Sequence, residues 1–557
     1  MNLKYIYALF LMLLCTSSFA QKKTIKTNTN TSITNYPAKV NRPKLVIGMV
    51  VDQMRWDYLY RYYDRYTKNG FKRLINDGFS AENTLIPYTP TITACGHASV
   101  YTGSVPAING IIGNNWFDPQ IGRDVYCVED KNVQTVGSTS NEGLMSPKNL
   151  LVSTVTDELR MATNFRSKVI SISIKDRGAI LPGGHTANGS YWYDDASGNF
   201  ITSTHYMTEL PGWVKQFNAQ KWPDKFFEQD WNTLYPIATY INSTSDDKPY
   251  ERPFKGEKTP TFPHLFKQYM NKNYSMMASM PQGNTYTLEM AKSAIAGEKL
   301  GQQGNTDFLA VSLSSTDYVG HQFGPNSIEA EDTYLRLDRD LATFFTYLDQ
   351  TIGKDNYLFF LTADHGVTHV PAFSKENKLP SGGLVTRKFK TDLDSLILKK
   401  FKVKSAIFTL MNNQVIFDTD AIATANADYS QIKQLCVDYL VKQEGILNAV
   451  DIKNIGNATI PAELKTKITY GYNARRSGDI YFILDAGWYP STSPGTGHSA
   501  WNPYDSHIPA VFMGWGIKPG KTNKPYYMTD IAPTISALLH IQEPSGSIGK
   551  VITELMR

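Results

Sequence analysis

The stretch Leu45-Val46-Ile47-Gly48-Met49-Val50-Val51 is an unbroken apolar run that ends at Asp52. A continuous run of this length is typical of a strand that is buried on both faces of a parallel sheet. The same pattern recurs at residues 169–174, 308–313, 357–361 and 508–513, with helical patterns between the runs. Buried strands that alternate with helices predict an α/β fold, a three-layer sandwich whose mostly parallel central sheet is flanked by helices.

Helix signals lie between these runs. Ser146-Pro147 predicts a helix that continues to about residue 162, and Ser327 caps a longer pattern over residues 328–348. Two segments interrupt the alternation of strands and helices. We interpret both as insertions over the edge of the sheet that carries the functional residues. The predicted division is a signal peptide (1–20), a disordered linker (21–42), three parts of one core (43–184, 301–369 and 479–557), an aromatic-rich insertion (185–300) and a cap-like α/β insertion (370–478).

The first twenty residues predict export. A basic start is followed by the apolar run Tyr7 to Leu14 and by Ser18-Phe19-Ala20, which places small residues at a cleavage site. No later stretch is apolar for long enough to span a bilayer, so we expect no membrane span and a periplasmic or secreted protein.

Cys95, Cys127 and Cys436 remain after cleavage and can form at most one disulfide. The net charge of +5, without a dense basic tract, argues against nucleic acid as a partner.

Charged side chains follow four of the five apolar runs. Asp52 ends the first run, Lys175 and Arg177 follow the second, and Asp317 and Asp364 follow the third and fourth. In open α/β sheets, ligands bind beyond the carboxyl ends of the strands. The placement of these residues therefore indicates a functional site at that edge.

Three motifs contain candidate metal ligands. Asp317 and His321 lie four residues apart, Asp364 and His365 are adjacent and precede a glycine, and His498 follows the glycine-rich turn 495–497. Each motif alone also fits an ordinary turn or loop. Together they supply carboxylate and imidazole ligands without cysteine, which favours a catalytic rather than a structural zinc site.

Anion-binding groups form a second set of candidates. The segment 89–97 contains several hydroxyls, including that of Thr93, before a predicted helix start near Gly96, where free N–H groups favour an anion. Helix capping is the competing explanation. Asn114 offers an amide in a loop. Lys175 and Arg177 lie two residues apart and would face one side of an extended strand end. A pair of solvated surface cations is the ordinary explanation of such a motif.

Taken together, these motifs resemble the alkaline phosphatase superfamily, and most closely its PafA-type, phosphate-irrepressible bacterial members. The resemblance covers the chain from Lys44 onward. The segments that carry it are VVDQMRWDYLYRYY, PTITACGHASVYTGSVP, SISIKDRGAILPGGH, SSTDYVGHQFGPNS, LTADHG, GTGHSAWNPYDSHIPAVFMGWG and TDIAPTISALLH.

The resemblance implies two zinc ions per subunit and a threonine nucleophile. The first zinc would be bound by Asp317, His321 and His498. The second would be bound by Asp52, Asp364, His365 and the nucleophile Thr93. Asn114, Lys175 and Arg177 match the residues that contact the phosphate. His97, His369 and His507 lie near these motifs, and we assign them no ligand role.

The function implied is a broad-range phosphate monoesterase that works through a phosphothreonine intermediate. Two zinc ions would bring four positive charges against the three negative charges of Asp52, Asp317 and Asp364. Lys175 and Arg177 would add the charge that suits a monoester dianion. We expect small-molecule monoester substrates and a monomer. The alternatives are a nucleotide pyrophosphatase/phosphodiesterase, which lacks the paired Lys and Arg, and a non-catalytic phosphate- or glycan-binding protein on the same scaffold.

Overall fold

The structure, a computed structural model, describes residues 40–492 and 494–556. The predicted signal peptide and nearly all of the predicted linker lie outside these residues. The strands, numbered in chain order, are β1 (Leu45–Val51), β2 (Phe79–Leu85), β3 (Asn115–Asp118), β4 (Arg123–Tyr126), β5 (Thr135–Val136), β6 (Val169–Ser173), β7 (Gly189–Asp194), β8 (Asn199–Ser203), β9 (Asp307–Leu313), β10 (Tyr357–Thr362), β11 (Gly382–Gly383), β12 (Ile407–Met411), β13 (Gln414–Phe417), β14 (Ile446–Asp451), β15 (Ile480–Leu484), β16 (Trp488–Tyr489), β17 (His507–Ile508), β18 (Ala510–Gly514) and β19 (Gly520–Tyr527).

The α-helices are numbered in the same way. They are α1 (Tyr58–Arg61), α2 (Phe71–Asp77), α3 (Thr93–Thr102), α4 (Pro106–Asn109), α5 (Val155–Ala162), α6 (Asp176–Gly183), α7 (Gly212–Asn218), α8 (Trp222–Phe227), α9 (Gln282–Glu298), α10 (Ser315–Phe323), α11 (Ile328–Thr351), α12 (Pro371–Glu376), α13 (Thr386–Phe401), α14 (Thr419–Thr424), α15 (Tyr429–Leu440), α16 (Ala462–Gly471), α17 (Pro503–Ser506) and α18 (Ile531–Leu539).

The main sheet confirms the predicted fold class. Its strand order is β17-β2-β18-β10-β1-β9-β6-β7-β8-β5, with β19 beside β2. The five adjacent strands β10, β1, β9, β6 and β7 run parallel, and every residue of β1, β9 and β10 is buried. Helices flank this sheet, so the apolar runs are buried on both faces, as a parallel sheet requires.

The last predicted strand runs in the opposite direction. β18 pairs antiparallel with β10, with Thr362 opposite Ala510. The start of β18, and not its end, therefore lies at the edge where the parallel strands finish. This reversal explains why His498 precedes its strand whereas the aspartates follow theirs.

Helix boundaries depend on capping. Ser327 accepts a hydrogen bond from the Ala330 N–H and starts α11, which confirms the predicted N-terminus. The helix predicted from Ser146-Pro147 begins later, at Val155. Thr154 and Asp157 form a reciprocal capping box there, which satisfies two free N–H groups and outcompetes the earlier Ser-Pro signal.

The segment predicted as the aromatic-rich insertion (185–300) contains core elements at both ends. β7 pairs in parallel with β6, and β8 pairs with β7, so both strands belong to the main sheet. At the other end, α9 packs against β9. This corrects the boundaries at 185 and 300. The run Tyr191-Trp192-Tyr193 was interpreted as part of an aromatic-rich insertion, although it belongs to a strand that is buried along its whole length.

The predicted cap-like insertion (370–478) forms a separate antiparallel sheet in the order β12-β13-β15-β14. β15 lies beyond the predicted boundary at 478, so the insertion continues to at least residue 484. The region 386–484, called the cap below, has its own apolar core around Leu393, Ile432 and Phe482. Arg42 to the C-terminus nevertheless forms one compact unit.

Cys95, Cys127 and Cys436 are buried and unpaired in the structure. Within the part of the chain that the structure describes, no helix combines the length and the apolar character that a bilayer crossing requires.

Candidate active site

Two groups of carboxylates and imidazoles meet at the carboxyl edge of the parallel strands. The first triad contains Asp317, His321 and His498, and the second contains Asp52, Asp364 and His365. Within each triad, one possible ligand atom from each residue lies within 4.8 Å of the others. The structure therefore brings together the two ligand sets that the family resemblance implies.

The first triad is assembled from a helix and a loop. Asp317 and His321 lie one turn apart on α10, so that His321 Nε2 is 3.2 Å from Asp317 Oδ1. His498 Nε2 lies 3.9 Å from the same oxygen. Gly495 has φ +89°, and a Cβ there would lie 2.3 Å from the His321 carbonyl oxygen. This glycine lets the loop approach α10 closely.

The second triad comes from the ends of two adjacent strands. Asp52 follows β1 and Asp364 follows β10, and each is fully buried, as is His365. His365 Nε2 lies 3.5 Å from Asp52 Oδ1 and 3.4 Å from Asp364 Oδ2. Because β1 and β10 are hydrogen-bonded neighbours, the two carboxylates stay close without any loop to position them.

The three imidazoles are oriented in the same way. The Nδ1 atoms of His321, His365 and His498 lie 2.7, 2.9 and 2.6 Å from backbone carbonyl oxygens. A carbonyl only accepts, so each Nδ1 carries the proton and each Nε2 presents a lone pair to its triad. Metal-ligating histidines are commonly fixed by this arrangement.

Unbalanced charge and unpaired oxygens show that the triads suit cations. Among the described residues, Asp52 Oδ1 and Asp364 Oδ2 are buried without a hydrogen-bond partner. Leaving such atoms unpaired is costly. Three buried aspartates face one buried lysine, Lys175, so negative charge remains uncompensated. The donor set of carboxylates and neutral imidazoles therefore fits metal ions, and zinc in particular.

The pKa directions agree with this charge balance. Burial, together with the neighbouring Asp364, raises the pKa of the Asp52 carboxyl well above its ordinary range. Burial also disfavours ionised Asp317, but the adjacent imidazole and the lysine outweigh it and hold the pKa of that carboxyl well below its usual range. Burial lowers the pKa of the His365 and His498 imidazoles, which favours the neutral form that binds metals.

Thr93 lies beside the second triad. Its Oγ1 is 3.3 Å from His365 Nε2, and it is the first residue of α3. The sequence prediction placed this helix start near Gly96, three residues too late. The actual start places Thr93 among the free N–H groups of the first turn. Gly96 has a different role, because a Cβ there would lie 2.3 Å from the Asp364 carbonyl oxygen.

Asn114 reaches the same helix start from a loop. Its Oδ1 accepts a hydrogen bond from the Ala94 N–H at 3.1 Å. This bond orients the Asn114 amide so that its NH₂ group remains available as a donor beside Thr93.

Lys175 lies between the two triads. Its Nζ donates to Asp52 Oδ2 at 2.7 Å and to Asp317 Oδ2 at 2.6 Å, and the residue is 4% exposed. Although burial works in the opposite direction, these carboxylates raise the pKa of Lys175 above its ordinary value. Since β6 ends at Ser173, Lys175 caps α6 and does not lie on the strand.

Arg177 occupies the first turn of α6, so the predicted period-two arrangement on a strand end is wrong. Its Nη1 donates to the Tyr126 hydroxyl at 3.1 Å and lies 3.9 Å from Asp176 Oδ1. The Tyr126 hydroxyl in turn donates to Asp176 Oδ1 at 2.5 Å. Arg177 Nε is buried without a hydrogen-bond partner within the described chain. A donor of this kind is suited to an anionic ligand.

Several residues near the site escaped the sequence interpretation. Tyr126 and Asp176 are the clearest, and the only available signal was that Asp176 lies between two candidate residues. His97 has no place in either triad. Its Nδ1 lies 2.9 Å from the Thr93 carbonyl oxygen, and its Nε2 lies 2.7 Å from Ser312 Oγ.

Comparison with known proteins is consistent with this geometry. The sequence model of a family described as type I phosphodiesterase / nucleotide pyrophosphatase matches residues 46–508. The sequence is 75% identical to alkaline phosphatase PhoV of Synechococcus elongatus over 557 residues, covering all of both chains. It is 51% identical to alkaline phosphatase PafA of Elizabethkingia meningoseptica over 93% of this chain and 95% of that protein. A crystal structure of wild-type PafA superposes with a TM-score of 0.91 at 50% identity, covering 93% of this chain and all of the other.

Proposed function

The chain belongs to the type I phosphodiesterase / nucleotide pyrophosphatase family, within the alkaline phosphatase superfamily, and on that premise we propose that it is an exported alkaline phosphatase with two zinc ions. It hydrolyses a broad range of phosphate monoesters to an alcohol and inorganic phosphate through a phosphothreonine intermediate. The observation that carries this proposal is the position of the Thr93 hydroxyl, 3.3 Å from His365 of the second triad, with the first triad nearby and Asn114 bonded to the next residue of the helix start.

Asp317, His321 and His498 would hold one zinc ion, and Asp52, Asp364, His365 and Thr93 the other. When bound, the two ions would supply positive charge that favours the ionised threonine and offsets the charge of the departing oxygen. The remaining contributions come from groups of the chain itself.

Thr93 gives up its hydroxyl proton to solvent, its Oγ1 attacks phosphorus, and the bond from phosphorus to the leaving alcohol oxygen breaks. The alcohol oxygen takes its proton from water. In the second step a water oxygen attacks phosphorus, the Thr93 Oγ1–phosphorus bond breaks, one proton of that water passes to Thr93 Oγ1, and inorganic phosphate leaves with the other. The free N–H groups at the start of α3 favour the negative charge of the ionised Thr93 and then that of the phosphoryl group bound to it.

Arg177 and Asn114 bind the non-bridging oxygens of the substrate. Arg177 has an unpaired Nε beside its Nη groups, and a guanidinium offers the forked donors that phosphate oxygens match. Lys175 is already bonded to Asp52 and Asp317. We therefore propose that Lys175 mainly neutralises negative charge between the two zinc sites and contacts the substrate only secondarily.

The charge of the site favours a monoester dianion over a diester monoanion. Two divalent ions, Lys175 and Arg177 outweigh the three aspartates, and a net positive charge remains after Thr93 ionises. Asp176, which lies 3.9 Å from Arg177 Nη1, reduces that surplus by one charge without abolishing it.

A nucleotide pyrophosphatase/phosphodiesterase is the alternative function that the family description supports. Its Thr nucleophile and metal ligands would be the same, and the paired Lys175 and Arg177 are the residues that argue against it. A non-catalytic phosphate- or glycan-binding protein is the weaker alternative, because every position of the expected catalytic set is filled.

The test compares kcat/KM for an aryl phosphate monoester and for its methyl diester in wild type and Arg177→Ala. We choose Arg177 alone because Lys175→Ala would also disturb Asp52 and Asp317. The monoester should be preferred in wild type, and its kcat/KM should fall roughly 10²- to 10³-fold in the variant, with little change for the diester. Arg73→Ala is the matched control, because Arg73 also bonds a tyrosine hydroxyl and an aspartate, those of Tyr357 and Asp349, but Tyr357 begins β10 at the sheet edge opposite the site. A diester preference that is insensitive to Arg177 would assign the protein to the phosphodiesterases.

Export and a monomeric state complete the proposal. Export is supported by the basic start, the apolar run and the small residues around Ala20. N-terminal sequencing of the protein recovered from the periplasm or medium should give Gln21 as the first residue. Light scattering of that protein should give the mass of one chain, and a dimer mass would overturn the monomer.

A further inference from the structure

Gln53 contacts a carboxylate of each triad. It directly follows Asp52 at the end of β1 and is 2% exposed. Its backbone N–H donates to Asp364 Oδ1 at 3.1 Å, and its side-chain Nε2 donates to Asp317 Oδ1 at 2.6 Å. One residue that is not itself a candidate ligand therefore holds one ligand of the first triad and one of the second.

The backbone of Gln53 is unfavourable for its residue type. Its φ is +67°, in the left-handed region, where a side chain with a Cβ is disfavoured and glycine is the usual residue. Such a conformation persists only where the surroundings impose it, and it occurs most often at functional sites. The Gln53 side chain must therefore have a use that a glycine at this position would lack.

The helix opposite makes room for that side chain. Gly320 lies on α10 between Asp317 and His321, and a Cβ at Gly320 would lie 1.8 Å from Gln53 Oε1. Glycine within a helix is destabilising. Both unfavourable features, the left-handed backbone of Gln53 and the glycine in the helix at position 320, thus permit the same contact, the hydrogen bond from the Gln53 amide to Asp317.

The two hydrogen bonds from Gln53 fix the orientation of both carboxylates. Asp364 Oδ1 accepts from the Gln53 and His365 N–H groups at 3.1 and 3.0 Å, so its other oxygen is left facing His365 Nε2 at 3.4 Å. In the first triad, the Gln53 amide fixes the rotation of Asp317, whose Oδ2 is held by Lys175.

We propose that Gln53 is a positioning residue that orients Asp317 and Asp364 together and so sets the zinc affinity of the first triad relative to the second. This inference rests on the proposed two-zinc function. The neutral amide suits the position because it donates a hydrogen bond without adding a charge between three carboxylates. A glutamate at position 53 could only accept, and it would repel Asp317.

The variant Gln53→Gly separates a positioning role from a merely structural one. Glycine adopts the left-handed backbone freely and keeps the N–H that bonds Asp364, but it loses the amide that bonds Asp317. Relief of the left-handed backbone opposes the loss of this buried hydrogen bond, so the thermal midpoint of metal-free Gln53→Gly should change little. Loss of the hydrogen bond from the Gln53 amide to Asp317 should at the same time lower the zinc affinity of the first triad roughly 10- to 100-fold.

The experiment strips the full-length protein with a chelator and titrates zinc against a chromophoric competitor, in wild type, Gln53→Gly and Gln53→Glu. Gln322→Ala is the control, because that glutamine lies on the same helix as Asp317 but bonds the Arg252 carbonyl. We expect two tight zinc sites in wild type and the control, one weakened site in Gln53→Gly, and a larger loss in Gln53→Glu.

The outcomes separate the two proposals. Two zinc sites of unchanged affinity in Gln53→Gly, with normal binding in wild type, would overturn the role of Gln53 and leave the proposed function intact. A wild-type protein that binds no zinc would overturn both. A fall in both the thermal midpoint of metal-free Gln53→Gly and its zinc affinity would indicate a structural role and would also overturn the positioning role.

Discussion

The two sides of the candidate site are built by different means. On the ligand side, which consists of the two triads, the aspartates follow β1, β9 and β10, which are neighbours in the sheet. On the contact side, which consists of Asn114 and Arg177, the side chains come from a loop and from a helix start. Backbone pairing therefore positions the aspartates of the ligand side, whereas the contact side depends on a series of side-chain contacts.

Strand register fixes the ligand side. Val50 is opposite both Thr362 of β10 and Ser312 of β9, so the three strands end at nearly the same level. Short connections then place Asp52 and Asp364 directly at the sheet edge, and one turn of helix places Asp317. Few degrees of freedom remain between the sheet and these three carboxylates.

The contact side is supported by the β3–β4 hairpin and the cap. Asn114 precedes this hairpin and Tyr126 ends it. From the cap, Phe408 stacks on Phe117 with ring centroids 4.7 Å apart, and Asn412 Nδ2 donates to the Asn115 carbonyl at 2.8 Å. Changes on the contact side should therefore have graded effects on catalysis, whereas changes on the ligand side should abolish it.

The largest loss of kcat/KM is expected for Thr93→Ala. Thr93 lies between the two sides, because it contacts His365 and precedes Ala94, which bonds Asn114. Loss of the nucleophile should lower kcat/KM for an aryl phosphate by about 10⁴-fold or more while zinc remains bound, because the six ligand residues of the two triads are unchanged. Steady-state kinetics and metal analysis of the same preparation check this. Thr93→Ser should restore part of the activity. Loss of metal from Thr93→Ala would mean that Thr93 is mainly structural.

A smaller effect is expected for Tyr126→Phe, which sharpens the comparison from the contact side. The change removes the hydroxyl that links Arg177 to Asp176 and leaves the ring in place. Arg177 would keep its charge but lose its orientation, so kcat/KM for the monoester should fall roughly 10-fold, with zinc content unchanged. Tyr429→Phe removes the hydroxyl of a comparable pair with Asp479 in the cap and is the control. A loss of zinc in Tyr126→Phe would show that the two sides are not independent.

The smallest effect is expected for Asn412→Ala, in the cap. This change removes one hydrogen bond to the β3–β4 hairpin, worth about 1 kcal/mol, and should lower kcat/KM by only about two- to fivefold. The loss should appear in the monoester and not in zinc affinity. Asn454→Ala, which removes a bond to Asp451 on the cap surface, should leave the kinetics unchanged. A loss as large as that of Arg177→Ala would place the cap within the catalytic machinery.

The difference between the two sides also explains what the sequence could predict. Asp52, Asp317 and Asp364 follow unbroken apolar runs, and the general rule for parallel sheets brings such residues together without knowledge of the loops. Five strands and the N-terminus of α11 were predictable for the same reason, because their signals are local. Zinc as the expected metal followed from residue type alone.

Contacts between distant segments could not be predicted in this way. Tyr126 lies 51 positions from Arg177, and Gln53 lies 264 positions from Asp317, so no local pattern links either pair. The start of α3 was misplaced because Gly96 resembled a helix boundary, whereas its actual function is to let Asp364 approach. The strand β7 was missed because its aromatic run Tyr191-Trp192-Tyr193 lies in a segment rich in aromatic and polar residues, where it did not stand out as a buried strand.

The most direct test of the whole account is the zinc content of the purified protein and of Asp317→Asn and Asp364→Asn, measured by elemental analysis alongside kcat/KM. We predict two zinc ions per wild-type chain, about one in each variant, and loss of monoesterase activity in both, because each aspartate belongs to a different triad. Zinc content that is unchanged in the variants, or a wild-type enzyme fully active with no bound metal, would contradict the assignment of the two triads.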